Sequence, residues 1–433
     1  MAEIIKFKDS FPCYLGVYNH KLVIQDSRLV NMKFIVIKTD KNTIVKFTKL
    51  HKYISVGKGK TAVRVDATAG NKPYFVCKML NFLFIENAYK YKLSSIEDIT
   101  PKHLEDFMYD YSMNHGETLQ YPTESTVNTC VNVIIDFMDN YLKIHDYNRW
   151  KEHEFFTTVT VRNRHKNYGE KKVPSFNVVH SGKIKTIFRD MPNSVFNLIM
   201  SYAATHYRQI FFLMAISAFT GMRPSEACNI RQEISPLGKG IYVYRQGTKV
   251  TKIKLDIREE KQLRSDLVFV GGIKSERWQE VYPCFINAFM NAYELHLEYL
   301  STKEFESEFC PMNINTNGVA MTYDNYFQTF RRMIDEMKPM FINHSNPEIS
   351  TFGHMLLETN IAPHIFRHWF SVRLTLYGED VAGLQHWRGD RSPLSAITYI
   401  KNKGELSKQL AHTNNVMFAY MQEAAKDLLK DEE

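Results

Sequence analysis

Arg223, the pair His364 and Arg367, and Tyr399 stand in that order along the second half of the chain. Between them they supply two guanidinium forks, an imidazole and a phenol. A guanidinium matches two phosphate oxygens at once and keeps its charge at any ordinary pH. An imidazole accepts or shares a proton, and a phenol becomes a nucleophile once deprotonated. The set suits attack on a phosphodiester, with no metal and no cofactor required.

Such groups need rigid carriers, and the local sequence provides them. The apolar run Tyr207 to Phe219 predicts a helix that stops at Thr220-Gly221, glycine being the usual residue for a left-handed helix end. Pro224 then favours the first turn of a new helix, which puts Arg223 at the corner between the two. A buried arginine needs an anion, and Glu226 is the structural alternative to a bound one. Pro363 predicts the start of another helix, ending near Gly378. On it His364, Arg367, His368 and Ser371 share one strip, while Ile365, Phe366, Trp369 and Phe370 face the other way into a core.

At 433 residues the chain has room for two or three domains, each with its own core. A hydrophobic fraction of 44% and a charged fraction of 24% fit a globular protein rather than a disordered or fibrous one. The net charge of +8 is compatible with a polyanionic partner without requiring one. The six cysteines, at 13, 77, 130, 228, 284 and 310, form no CxxC pair, so neither a zinc finger nor a disulfide framework is expected. No signal segment or membrane-length apolar run is visible, which leads to a cytoplasmic expectation.

The first 66 residues read as a small β-rich domain, with Phe34–Ile37 and Thr43–Phe47 as short strands around the turn Thr39–Asn42. Val56 to Thr61 lacks the earlier glycine of a phosphate loop, and reads as a basic turn against DNA or a solvated hairpin. From 67 to 160 the period becomes helical, with Thr100 as a cap and Pro101 as the first residue of one helix. Residues 161–184 hold Arg162, Arg164, Lys166, Lys171 and Lys172, and read as a basic linker or a charged surface loop. Residues 185–433 form one long, mostly helical domain, with a hairpin over Gly240 to Leu255 turning at Gln246-Gly247. The expected fold class is mainly α with small antiparallel β elements.

The run Thr220-Gly221-Met222-Arg223-Pro224-Ser225-Glu226, then His364-Ile365-Phe366-Arg367-His368, then Tyr399, resembles the tyrosine recombinase (phage-type integrase) family. The resemblance is sharpest over these motifs, fair over 185–433 and absent from the first 65 residues. It implies a multidomain DNA clamp, with residues 67–160 as the core-binding domain and 185–433 as the catalytic domain. Arg223 and Arg367 would hold the scissile phosphate, His364 would share a proton, and Tyr399 would form a 3′-phosphotyrosyl link. Lys249 in the hairpin would be the general acid toward the 5′-oxygen, with Lys252 as its rival. The linker residues Arg162, Arg164, Lys166, Lys171 and Lys172 would lie against DNA phosphates.

The resemblance further implies double-stranded DNA as partner and a homotetramer on paired sites, with DNA-bending accessory proteins possible. Residues 1–66 would serve arm-site DNA or a protein. A helical tail after Gly404, carrying Leu406, Leu410, Leu428 and Leu429, would pack on its own or a neighbouring protomer. The implied function is site-specific recombination, the integration or excision of a mobile element. The alternatives are a type IB-like topoisomerase and a DNA-bridging protein that has lost catalysis.

One position departs from the family pattern. Nine residues before the tyrosine, where the family places His or Trp, this chain has Asp390. Its charge has the wrong sign to face a phosphate. Either Asp390 is protonated or turned toward an arginine, or His386, Trp387 or Arg388 fills the role.

Overall fold

The computed structural model describes residues 13–24, 28–54, 71–113, 121–152, 154–162, 168–182, 191–303 and 308–390. Tyr399, the tail after Gly404, the turn at 56–61, Arg164 and Lys166 lie outside them. The chain divides into two compact units, Met1–Leu22 with Val30–Thr186, and Val23–Leu29 with Ile187–Glu433. Helices dominate and the sheets are small and antiparallel where paired, the fold class the sequence led us to expect. No described helix is long and apolar enough to cross a membrane.

In the first unit β1 (Cys13–Ile24), β2 (Arg28–Thr39) and β3 (Ile44–Phe47) form a sheet in that order. The β2–β3 turn places Asn42 in the left-handed region at φ 63°, a conformation asparagine tolerates better than most residues. The helices are α1 (Lys72–Asn81), α2 (Ala88–Tyr91), α3 (Pro101–Met113), α4 (Glu124–His145) and α5 (Tyr147–Lys151). Val127, Val131, Ile134, Met138 and Leu142 recur along α4 at three- and four-residue steps and are all buried. Leu15, Ile35 and Leu50 share one core with Val76, Leu83, Leu104 and Ile134. Position 66, drawn above as a domain boundary, therefore divides the chain but not the core. Asn81 of α1 reinforces the union, since its amide accepts from the Leu15 N–H at 2.8 Å and donates to the Leu15 carbonyl at 2.9 Å.

The stretch read as a linker carries regular structure. β4 (Phe156–Arg162) and β5 (Tyr168–Pro174) pair along their full length, from Phe156 opposite Pro174 to Arg162 opposite Tyr168. The reason is visible in β4, where threonine and valine alternate and favour an extended chain.

In the second unit α7 (Arg208–Thr220) is central. Every side chain from Ile210 to Thr220 is buried, because α6 (Asn193–His206), α9 (Ile286–Ser301), α10 (Tyr323–Ile342) and α12 (Ile365–Leu376) all pack on it. Trp369 of α12 stacks on Phe196 of α6, ring centres 4.1 Å apart and planes within 7°. Buried side chains of this size contribute roughly 1.5–3 kcal/mol each, so α12 is held firmly. The remaining helices are α8 (Pro224–Ala227), α11 (Pro347–Glu358) and α13 (Val381–Arg388). β6 (Ile241–Gln246), β7 (Lys249–Ile257) and β8 (Arg277–Glu280) form the sheet of this unit, in that order.

Candidate active site

The corner that carries Arg223 forms because α7 ends on Gly221 at φ +67°. Met222 crosses the corner fully buried, and Pro224 opens α8. A Cβ on Gly221 would lie 2.5 Å from Cδ1 of Phe370, so the corner rests directly on α12. One turn earlier on α12, Arg367 is 1% exposed. Its Nη1 donates to the carbonyl of Gly221 and, at 2.9 Å, to that of Arg388. Ser371, on the same strip of α12, turns its hydroxyl back to the Arg367 carbonyl at 2.8 Å and serves the helix rather than the site.

Two guanidinium groups from these two places meet on one oxygen. Arg223 Nη2 donates to Asp390 Oδ1 at 2.5 Å, and Arg367 Nη2 donates to the same atom at 2.6 Å. The other carboxylate oxygen, Oδ2, lies 3.0 Å from Nε of Arg388. Asp390 is thus turned toward the arginines, one of the options its sequence position left open. α13 ends at Gly389 (φ +61°), and the backbone N–H of Asp390 donates to Gln385 at 3.0 Å.

Glu226 compensates the remaining charge. It is fully buried, accepts from Arg223 Nη1 at 3.1 Å and from Arg277 Nη2 at 3.0 Å, and receives the Arg223 N–H at 3.3 Å. Burial alone would push its carboxyl upward, yet Arg277 and Arg223 hold it below the ordinary carboxylate value. Arg223 has a structural partner and an anion-facing side together. The structural pair with Glu226 is present, and the anion on the other side of the fork is the chain's own Asp390.

His364 sits at the N-terminal end of α12, its ring 5.0 Å from that of His368 and nearly perpendicular to it. Burial, then the positive charges of Arg367, Arg388 and Arg223, bring its pKa down to about 4. It is therefore neutral at physiological pH, and its imidazole is a weaker base than a free histidine. Burial and the neighbouring Arg388 and Arg223 also lower the Arg367 pKa, against the opposing pull of Asp390.

The lysines separate by their surroundings. Lys249 begins β7 beside Gly247 and is exposed at the hairpin turn. Lys252 has its ammonium 2.7 Å from Glu280 of β8. Among the expected DNA contacts, Lys171 is exposed, whereas Lys172 is drawn inward to Asp136 (3.2 Å) and Asp139 of α4 and lies over the Phe156 ring. Alternation along β5 explains the split, because successive strand residues point to opposite faces. Arg162 lies on β4, and its side chain is outside the described set.

Two contributors were not anticipated. Arg277 and Gln279 lie on β8, four residues long, with no motif and no clear period around them. Gln279 is 2% exposed, and its amide donates to the carbonyls of Thr220 at 2.9 Å and Trp387 at 2.7 Å. Only the alternation within Arg277-Trp278-Gln279-Glu280 could have signalled a strand.

Solved structures to which the chain is similar are site-specific recombinases and integrases. The XerH site-specific recombinase bound to its difH substrate aligns at 14% identity over 76% of each chain, with a TM-score of 0.45. The Tn1549 transposon integrase in complex with transposon right-end DNA aligns at 13% identity over 78% of this chain and 90% of that one, TM-score 0.46. A lambda integrase dimer bound to a core site aligns at 13% identity over 73% and 69%, TM-score 0.39. No protein-family profile and no curated protein matches the chain.

Proposed function

We propose that this chain is a tyrosine recombinase, which cuts and rejoins DNA at specific sites through a covalent link to Tyr399. The carrying observation is that Arg223, at the corner between α7 and α8, and Arg367, on α12, direct one N–H each at a single anionic oxygen. A non-bridging phosphate oxygen asks for that arrangement, and it would gain charge in the pentavalent transition state. The Tyr399 oxygen attacks phosphorus, the bond to the 5′-oxygen breaks, and the phosphoryl group stays on the tyrosine. Neutral His364 takes the phenol proton, and Lys249 returns one to the departing 5′-oxygen. Energy of the broken ester is kept in the new one, so rejoining needs neither ATP nor metal. The assembly is a homotetramer on paired double-stranded sites, serving integration or excision of a mobile element.

A second reading is favoured by Asp390, which already satisfies the two arginines. It is a protein of the same fold that binds or bridges DNA without cutting it. Incubating wild type and Tyr399→Phe with fragmented DNA in EDTA, then quenching in SDS, separates the possibilities. Adducts at a few sites with wild type alone are expected. Adducts spread over all sequences would indicate a topoisomerase. Tight binding with no adduct would leave the bridging protein.

A further inference from the structure

We propose that Asp390 is an internal counter-anion, seated where the scissile phosphate belongs, and that its carboxylate must swing out before a phosphodiester can enter. The identity of the entering group rests on the reading above; the seat itself does not.

The need for such an anion follows from burial. The side chains of Arg367, Arg388 and Arg223 are 1%, 5% and 17% exposed. Guanidinium groups so withdrawn from water are strongly destabilising unless an anion faces them. Glu226 is already shared between Arg223 and Arg277, on the far side of the Arg223 fork. What remains is one inward N–H each from Arg223 and Arg367, beside Arg388, whose Nε lies 3.0 Å from Asp390 Oδ2. Asp390 Oδ1 takes both.

Exchange is electrostatically even. A carboxylate and a phosphodiester each carry one negative charge, so the arginines stay compensated with either one present. It is also mechanically small. The Asp390 backbone is held by its N–H to Gln385, and Gly389 before it is pinned, since a Cβ there would fall 1.9 Å from Arg277 Nε. Vacating the seat therefore falls to rotation about the Asp390 side-chain bonds, which also breaks the 3.0 Å contact of Oδ2 with Arg388 Nε. Every substrate phosphate must therefore compete with a ligand of the same charge that is covalently present at high effective concentration.

The test uses the full-length chain, inorganic phosphate as probe, and Asp390→Asn, which keeps the shape and removes the charge. Calorimetric titration should show phosphate binding about tenfold or more tighter to Asp390→Asn than to wild type. Without phosphate the variant should melt below wild type; with phosphate the gap should close. Asp390→Glu, which restores the charge, should bind phosphate as weakly as wild type. In the Asp390→Asn background, Arg367→Gln should abolish the gain. Unchanged or weaker phosphate binding by a folded Asp390→Asn overturns the proposal. So does failure of both Asp390→Asn and Asp390→Ser to fold in saturating phosphate, which would make the residue purely structural. Phosphate affinity is read whether or not Tyr399 forms an adduct. A tighter seat with no DNA adduct would sink the recombinase reading and leave this one standing.

Discussion

The ring of Phe370 occupies the space a side chain on Gly221 would need, with 2.5 Å between the hypothetical Cβ and Cδ1. Gly221 is also left-handed, at φ +67°, so alanine there meets strain and overlap together. Gly221→Ala should cost about 2–4 kcal/mol in urea unfolding. Because Arg223 lies two residues on, the variant should lose DNA adduct formation even at temperatures where it remains folded. Full activity in a folded Gly221→Ala would show that the corner does not set the position of Arg223.

Arg367 and Arg223 should separate in stability but not in chemistry. Arg367 is the more deeply buried and also ties Gly221 to Arg388. Arg367→Met should destabilise by about 3 kcal/mol or more, and Arg223→Met by less. Each should lower adduct formation on the order of 10²–10³-fold at saturating DNA. Equal losses of stability would contradict the burial argument.

A leaving group that needs no proton distinguishes the two hairpin lysines. Lys252 is held by Glu280 at 2.7 Å, whereas Lys249 is exposed at the turn. With ordinary DNA, Lys249→Ala should slow cleavage by about 10²-fold or more, and Lys252→Ala much less. With a sulfur in place of the bridging 5′-oxygen, Lys249→Ala should return to near the wild-type rate. Rescue of Lys252→Ala instead would reassign the general acid.

Stability should fall on acidification from neutral pH. His296 of α9 is 1% exposed; its Nε2 bonds the Met312 carbonyl at 2.8 Å, and its ring stacks on Phe212. Burial brings its pKa from 6.5 down to about 4. Between those values the unfolded chain binds a proton that the folded chain refuses, so unfolding is favoured as pH drops. The loss approaches the order of 3 kcal/mol from this residue at the acid end of the window. Glu226, held below its ordinary value, adds a loss of the same sign once pH falls through the carboxylate range. Urea titrations at pH 7 and pH 5 should show the slope, and His296→Phe should reduce it. An unchanged slope in that variant would refute the assignment.

What the sequence revealed depended on local punctuation. The α7 stop at Gly221, Pro224 and the apolar stripe of α12 are written within a few residues of the groups they position. The orientation of Asp390 is not, because Oδ1 is held by Arg223 and Arg367, both distant in the chain. Arg277 was illegible for a similar reason: a four-residue strand has too few positions to show a period, and its partner Glu226 lies on another element. Glu226 was seen only as a rival to an anion for Arg223, since a single sequence neighbour gives no hint that one guanidinium can serve two acids. The basic stretch 161–184 shows no clear period of its own, because the alternation that marks the hairpin lies in the threonines and valines of β4 facing it.

Gln279 gives the site a common gauge. One amide nitrogen fixes both the carbonyl of Thr220, just before the Arg223 corner, and that of Trp387, shortly before Asp390. Two parts measured separately accumulate two errors; parts measured from one mark shift in step. A displacement of β8 would therefore carry the corner and the end of α13 along together and preserve the spacing between them.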